Sequence, residues 1–233
     1  MTIFPQTQVP LIVSGCLLWL KADDQSSASM TASSGRVSAL RNFASRTAIT
    51  QATGAAQPSN TVTIKGLPAL GFDNDNERYL NTNIPSTLGN ATIFVVVQQA
   101  VSGVQGMVTG TGGSTQSIRM ANNNLGYTCL DGTTVITLAS GTSVLTSPAI
   151  FAVTCDVAGS TRNLYKNSTT VGATGAYDGS IGTLYLGTAS SGAGQSRGGF
   201  NLGEMAIYNK VLNSTELAQV FSYLGNKWGI AIS

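Results

Sequence analysis

The chain has 233 residues, 42% apolar, 9% charged and 7% aromatic, with a formal net charge of +2 and no histidine. Soluble proteins average about 25% charged residues, so this surface is built from Gly, Ser, Thr and Asn over an apolar share ample for a core, which excludes disorder. The twelve Lys and Arg are scattered and never adjacent, which excludes a nucleic-acid footprint, and no run of 18 apolar residues offers a membrane-spanning helix.

Residues 1–15 form an uncharged arm, set apart from a domain over residues 16–233. Pro5 and Pro10 forbid a continuous helix there and favour an extended path. Ile3, Phe4, Pro5, Val9 and Pro10 are the candidate partner interface, since exposed apolar segments mark interaction sites. Residues 11–13 are expected to pack on the chain's own domain, and 3–9 on a neighbour. The apolar stretch 11–20 imitates a signal sequence, with a cleavage-box look at residues 13–16, but its first cation, Lys21, follows it instead of preceding it.

Strands are expected at 16–20 and 35–43, separated by a polar loop at 23–34, and then at 61–65 and 67–72. Asp73, Asp75 and Glu77, interleaved with Asn, suit Ca²⁺ as oxygen donors but lack calcium-loop spacing, so they are read as a turn and no metal is assigned. Residues 91–98, β-branched and continuously apolar, read as a central strand covered on both faces. Further short strands follow at 106–109, 117–121, 126–130, 133–138, 149–157, 163–166, 169–171 and 183–187, punctuated by Gly and Asn. The Gly/Ser stretch 190–199 reads as a loop with Arg197 as its one charge. Cys16, Cys129 and Cys155 are an odd set, not a disulfide framework, and Cys155 reads as a buried thiol.

The chain ends on a strand at 203–208 and one amphipathic helix. Leu217, Val220, Phe221, Leu224 and Trp228 make a single apolar stripe, Asn213 and Glu216 a capping box, and Lys227 with Gly229 the stop. This ending resembles the concanavalin A-like lectin/glucanase superfamily, in particular its laminin-G-like branch. The resemblance lies in Gly203, Glu204, Tyr208, Asn209, Leu212, Glu216, Tyr223, Leu224, Lys227, Trp228, Gly229 and Ile230, with residues 18–23, 70–73 and 163–167 agreeing in order. It implies an all-β, concanavalin A-like jelly-roll sandwich with one short C-terminal helix. That superfamily holds lectins, hydrolases, adhesion modules and virion proteins, so fold does not fix function.

The absence of histidine removes Ser-His-Asp and Cys-His catalysis. Hydrolases of the resembling fold carry alternating acidic residues on one strand, and glycoside hydrolysis needs two carboxylates flanking the bond. Here Glu77 is in a turn, Glu204 isolated on a strand and Glu216 at a helix start, so the chain reads as a non-enzyme without a cofactor. Tyr127, Tyr177 with Asp178, and Arg197 lie near expected loops and are the candidate glycan-binding residues, whereas Trp19, Tyr208, Tyr223 and Trp228 read as core packing.

Low charge, the apolar arm and the unpaired cysteines together point to a virion structural protein. The expected setting is capsid decoration or a tail-associated role in a tailed phage, assembled in the host cytoplasm. Its expected partners are other virion proteins and copies of itself. The alternative is a carbohydrate-binding lectin or adhesin module, and a third reading is a secreted, lipid-anchored lectin.

Overall fold

A computed structural model describes residues 9–72, 80–81, 84, 88–100, 105–110, 117–120, 126–131, 134–139, 147–177, 184–187 and 199–233, with 80–81, 184–185 and the strands between 105 and 139 described by backbone alone. A one-turn helix α1 (Val9–Ile12) leads into strand β1 (Cys16–Lys21). Next come β2 (Met30–Ser33), β3 (Arg36–Arg41), β4 (Ala48–Thr50), β5 (Ser59–Ile64), β6 (Leu67–Phe72), β7 (Leu80–Asn81) and β8 (Ala91–Gln99). The middle of the chain gives β9 (Gln105–Gly110), β10 (Ser117–Met120), β11 (Gly126–Asp131) and β12 (Thr134–Ala139). The last third gives β13 (Ala149–Asp156), β14 (Thr161–Lys166), β15 (Ala173–Ala176), β16 (Leu184–Leu186), β17 (Phe200–Tyr208) and the helix α2 (Ser214–Trp228).

All strand pairs are antiparallel, and the fold is the β-sandwich the sequence implies. β17 is the hub. One edge pairs with β8 along its length, and the other is shared by β6 (Phe200–Leu202) and β1 (from Glu204 on). From β8 the ladder continues through β13 and β14 to β15. From β6 it passes through β5 to β3, which also pairs with β2 and β4.

The alternation of side chains across β8 explains why the whole strand is apolar. Ile93, Val95 and Val97 join Leu18, Leu20, Val37, Leu40, Phe151 and Met205 in the core between the sheets. Phe94 and Val96 point the other way and join Trp19, Ile150, Ala206, Phe221 and Trp228 beneath α2. Phe94 meets the Phe221 ring edge-on at 5.2 Å. The helix forms as its sequence prescribes. Asn213 Oδ1 accepts from the Glu216 N–H, Glu216 Oε2 accepts from the Asn213 N–H, and Gly229 closes the helix in the left-handed region (φ 61°).

Some expectations are corrected. The arm is not extended at Val9–Ile12, because Pro10 sits in the first turn of α1, where a missing N–H costs nothing. Val13 is buried as expected, yet Leu11 and Ile12 are exposed. The polar loop at 23–34 contains β2, β4 went unread, and the strand expected at 169–171 lies instead at Ala173–Ala176, opposite Thr161–Leu164.

Burial fixes the protonation of three acids at the helix-facing core. The Cys16 thiol, half-buried and donating to the Leu18 carbonyl at 3.4 Å, is pushed by burial from 9.0 up to about 12. Burial also raises the Tyr208 and Tyr223 hydroxyls, helped by nearby negative charge from Cys16 and Glu204 respectively. In each case the folded value exceeds the unfolded one, so the stabilisation is complete below the unfolded value and is lost as pH climbs toward the folded one. Urea midpoints should therefore fall steadily from pH 9 upward, and a flat profile between pH 8 and 10.5 would contradict this burial.

Candidate functional site

The most chemically loaded surface among the described residues is the solvent face of β2, β3 and β4. Met30, Leu40 and Ile49 stand opposite one another and point inward. The alternate positions Thr31, Ala39, Arg41 and Ala48 therefore face out. A hollow of about 190 Å³ lies here, lined by three alanines (Ala28, Ala39, Ala48) together with Ser27, Thr47, Arg41 and Arg46. It is smaller than the roughly 300–1,000 Å³ of sites for drug-sized ligands, and so suits a single ring unit.

The loop after β3 is held by one buried side chain. Asn42 Oδ1 accepts from the Trp19 and Ala44 N–H groups at 3.0 and 2.9 Å, and Nδ2 donates to the Leu17 carbonyl at 2.9 Å. The Arg46 N–H closes the turn on the Asn42 carbonyl with Arg46 at φ 62°. This geometry sets Phe43 half-exposed, with Lys21 Nζ 4.9 Å and Arg41 Cζ 5.4 Å from its ring centroid. Asn42→Ala would leave those donors and acceptors unmatched and should cost about 1–3 kcal/mol, readable as a lower urea midpoint. An unchanged midpoint would remove Asn42 as the anchor of the loop.

The electrostatics are one-sided. Among the described residues, Lys21, Arg41 and Arg46 form no ion pair. The neighbouring carboxylates are already engaged. Asp23 accepts from Lys227 Nζ at 2.8 Å, and Asp24 accepts from the Ser26 and Ser29 hydroxyls at 2.8 and 2.9 Å. Burial alone would push the Asp24 carboxyl up, but those hydrogen bonds and the charge of Lys21 hold it below the ordinary carboxylate range.

Glu204, expected as an isolated strand residue, is instead fully buried and saturated. Its carboxylate accepts from Trp19 Nε1 (2.5 Å), Tyr223 OH (2.8 Å), Lys227 Nζ (2.6 Å) and Trp228 Nε1 (3.1 Å). All five residues fall within the stretches that carry the resemblance, but nothing local says that they meet, because Trp19 lies 185 residues from Glu204. With no free oxygen lone pair facing solvent, Glu204 braces the helix and is closed to substrate. Glu216, likewise, is spent on Lys210 and the helix cap.

Of the candidate glycan residues, Tyr177 alone has a described side chain. Tyr177 is 3% exposed, sits in the core between the sheets, and donates its hydroxyl to the Gly89 carbonyl at 2.9 Å, so it is withdrawn as a sugar platform. Tyr127 lies in β11, opposite Leu138 and Met120, with only its backbone described. Asp178 and Arg197 lie outside the described residues, as do Ile3, Phe4, Pro5 and the acidic turn at 73–77. Of the candidate interface, Pro10 is buried, its carbonyl accepting from Tyr208 OH at 3.2 Å. Val9 is half-buried and, with Ile12, Ala218, Gln219, Ser222 and Asn226, lines a groove of about 470 Å³ along the outer side of α2. The basic hollow was missed because its residues are gathered by strand register, without a recognisable spacing.

No protein-family model matches the sequence, and no curated protein matches it. Solved structures do. The binding domain of Paraclostridial Mosquitocidal Protein 1 aligns at 11% identity over 94% of this chain and 54% of its own, with a TM-score of 0.62. The Trypanosoma rangeli sialidase bound to 2,3-difluoro-KDN aligns at 13% identity over 94% of this chain, with a TM-score of 0.57, and the chain spans 34% of that protein's length. The Ruminococcus gnavus IT-sialidase CBM40 bound to α2,3-sialyllactose aligns at 16% identity over 66% of this chain and 92% of its own, with a TM-score of 0.47, too low to argue from. At these identities the likeness is one of fold, that of lectin-like β-sandwich domains.

Proposed function

We propose that the chain is a non-catalytic, lectin-like recognition module that captures a sugar unit at the hollow of β2, β3 and β4. The observation that carries this reading is the hollow itself, lined by three alanines, Ser27, Thr31, Thr47, Arg41 and Arg46, with the half-exposed Phe43 ring beside it, 5.4 Å from Arg41 Cζ. Few, well-placed polar groups around a shaped recess are what orient a small ligand. Sugar capture is in keeping with one of the fold's neighbours, a sialidase solved in complex with sialic acid, of which this chain spans 34%, and a binding role with another, the binding domain of a mosquitocidal protein. A hydrolytic role finds no support in the described glutamates, since Glu204 and Glu216 are both engaged within the protein and neither lines the hollow. A glycan array with the intact chain and with Phe43→Ala tests the reading. Retention of one sugar family by the intact chain, weakened in the variant, is expected. An array with no retained sugar would defeat it.

The groove beside α1 favours a second reading, assembly. Here we propose that the first eight residues of a neighbouring copy lie along α2, in a particle such as a tailed-phage virion built from laminin-G-like surface modules. Eight extended residues reach at most about 26–29 Å, and a 15-residue helix is about 22 Å long, so the arm can cover the groove. Deletion should stop at residue 8, because Pro10 and Val13 belong to the folded body. Light scattering should show an oligomer that becomes monomeric without residues 2–8. A full-length monomer would sink self-assembly.

A further inference from the structure

Resting on the sugar-capture reading, we infer that the ligand is an acidic saccharide whose carboxylate is taken by Arg41 and Arg46. Arg41 and Arg46 both line one hollow of about 190 Å³, and Lys21 lies outside it, over the Phe43 ring. Two like charges lining one hollow repel, and among the described residues no carboxylate pairs with Arg41 or Arg46. The site is therefore complete only with an anion.

The three cations divide the work. Lys21 lies over both the Trp19 and Phe43 rings, at 5.4 and 4.9 Å, so its charge is spent in part on aromatic faces. Arg41 Cζ lies 5.4 Å from the Phe43 ring centroid, and its planar guanidinium is the kind of group that takes a carboxylate with two parallel hydrogen bonds. Arg46 is exposed on a loop that Asn42 holds. A carboxylate bound here leaves the rest of a pyranose ring against Ser27, Thr31 and Thr47, whose hydroxyls can both donate to and accept from ring hydroxyls. A neutral sugar would satisfy those hydroxyls and leave the cations unanswered. A bare anion would do the reverse. The acidic sugar fits both halves.

The experiment is calorimetric titration of the full chain with two acidic probes, α2,3-sialyllactose and a glucuronate disaccharide, beside lactose, sulfated lactose and sodium acetate. We expect at least one acidic probe to bind about tenfold or more tighter than lactose and to weaken between 50 and 300 mM NaCl. Arg46→Ala should weaken that binding by roughly tenfold to a hundredfold. Arg41→Lys, which keeps the charge and loses the planar fork, should weaken it as well, with both variants unfolding at the wild-type urea midpoint. Lactose binding as tightly as the acidic probes would overturn the acidic assignment and leave sugar capture standing. Sulfated lactose preferred over both acidic probes would overturn carboxylate selection. Acetate binding as tightly as the acidic probes would overturn the sugar half. Silence from every probe would overturn the inference together with the reading beneath it.

Discussion

Glu204→Ala should lower unfolding stability by about 3–5 kcal/mol. The side chain is inaccessible, and its two oxygens take four donors from β1 and α2. Removing it strands Lys227 beside Asp23 alone and leaves two indole N–H groups and a tyrosine hydroxyl without an acceptor in a dry interior. The cost comes from the groups left behind more than from the pair itself, because breaking a buried pair exposes the desolvation that the partner had offset. Two comparisons isolate that cause. Glu204→Gln keeps the volume but places an amide N–H₂ among donors, so it should fall between wild type and alanine. Glu204→Leu with Lys227→Met removes charge from both sides and should recover the part of the loss owed to the stranded ammonium, leaving the part owed to the indole and tyrosine donors. If Glu204→Ala unfolds within 1 kcal/mol of wild type in urea, the cluster is not what fixes the helix to the sheet.

Trp228→Ala should cost about 3–5 kcal/mol, the range for emptying a large aromatic site. The ring is completely buried and rests on Gly203 of β17, where an added Cβ would lie 2.7–2.9 Å from three ring carbons. That contact makes a second expectation: Gly203→Ala should cost about 1–3 kcal/mol by forcing the indole out of place. The two losses should not add. Once Trp228 is alanine, the methyl at 203 meets empty space, so the double variant should be little worse than Trp228→Ala alone. Strict additivity would mean that Gly203 matters through backbone freedom and not through the indole.

The parts of the fold that could be read from the sequence are those whose information is local. The capping box of α2 lies within four residues, and its apolar stripe within fifteen. The continuous apolar run of β8 announces cover on both faces, which the two cores supply. Trp19, Tyr208, Tyr223 and Trp228 were legible as packing for the same reason. What escaped is set by partners distant in sequence. β2 and β4 are short segments paired chiefly with β3, so their own residues carry little signal. α1 was masked by Pro10, whose cost depends on which turn of a helix it occupies. Tyr177 was mistaken for a loop aromatic because nothing nearby shows that Gly89, eighty-eight residues earlier, offers its carbonyl. The basic hollow is the same case at the level of the site: Ala39, Arg41 and Ala48 become one surface only through the β3–β4 register.

The pairing of β1 with β17 also has a kinetic side. β1 is made first, and the strand that completes its hydrogen bonds is made about 185 residues later, which at ribosomal rates of about 5–20 residues per second is a wait of roughly ten to forty seconds. During that interval β8 and β13, apolar on both faces, leave the ribosome before β17 can pair with β8 and before α2 can cover either. Closing so long a loop is slow even once the chain is released. A nascent chain that ends before Trp228 therefore has no roof for Trp19.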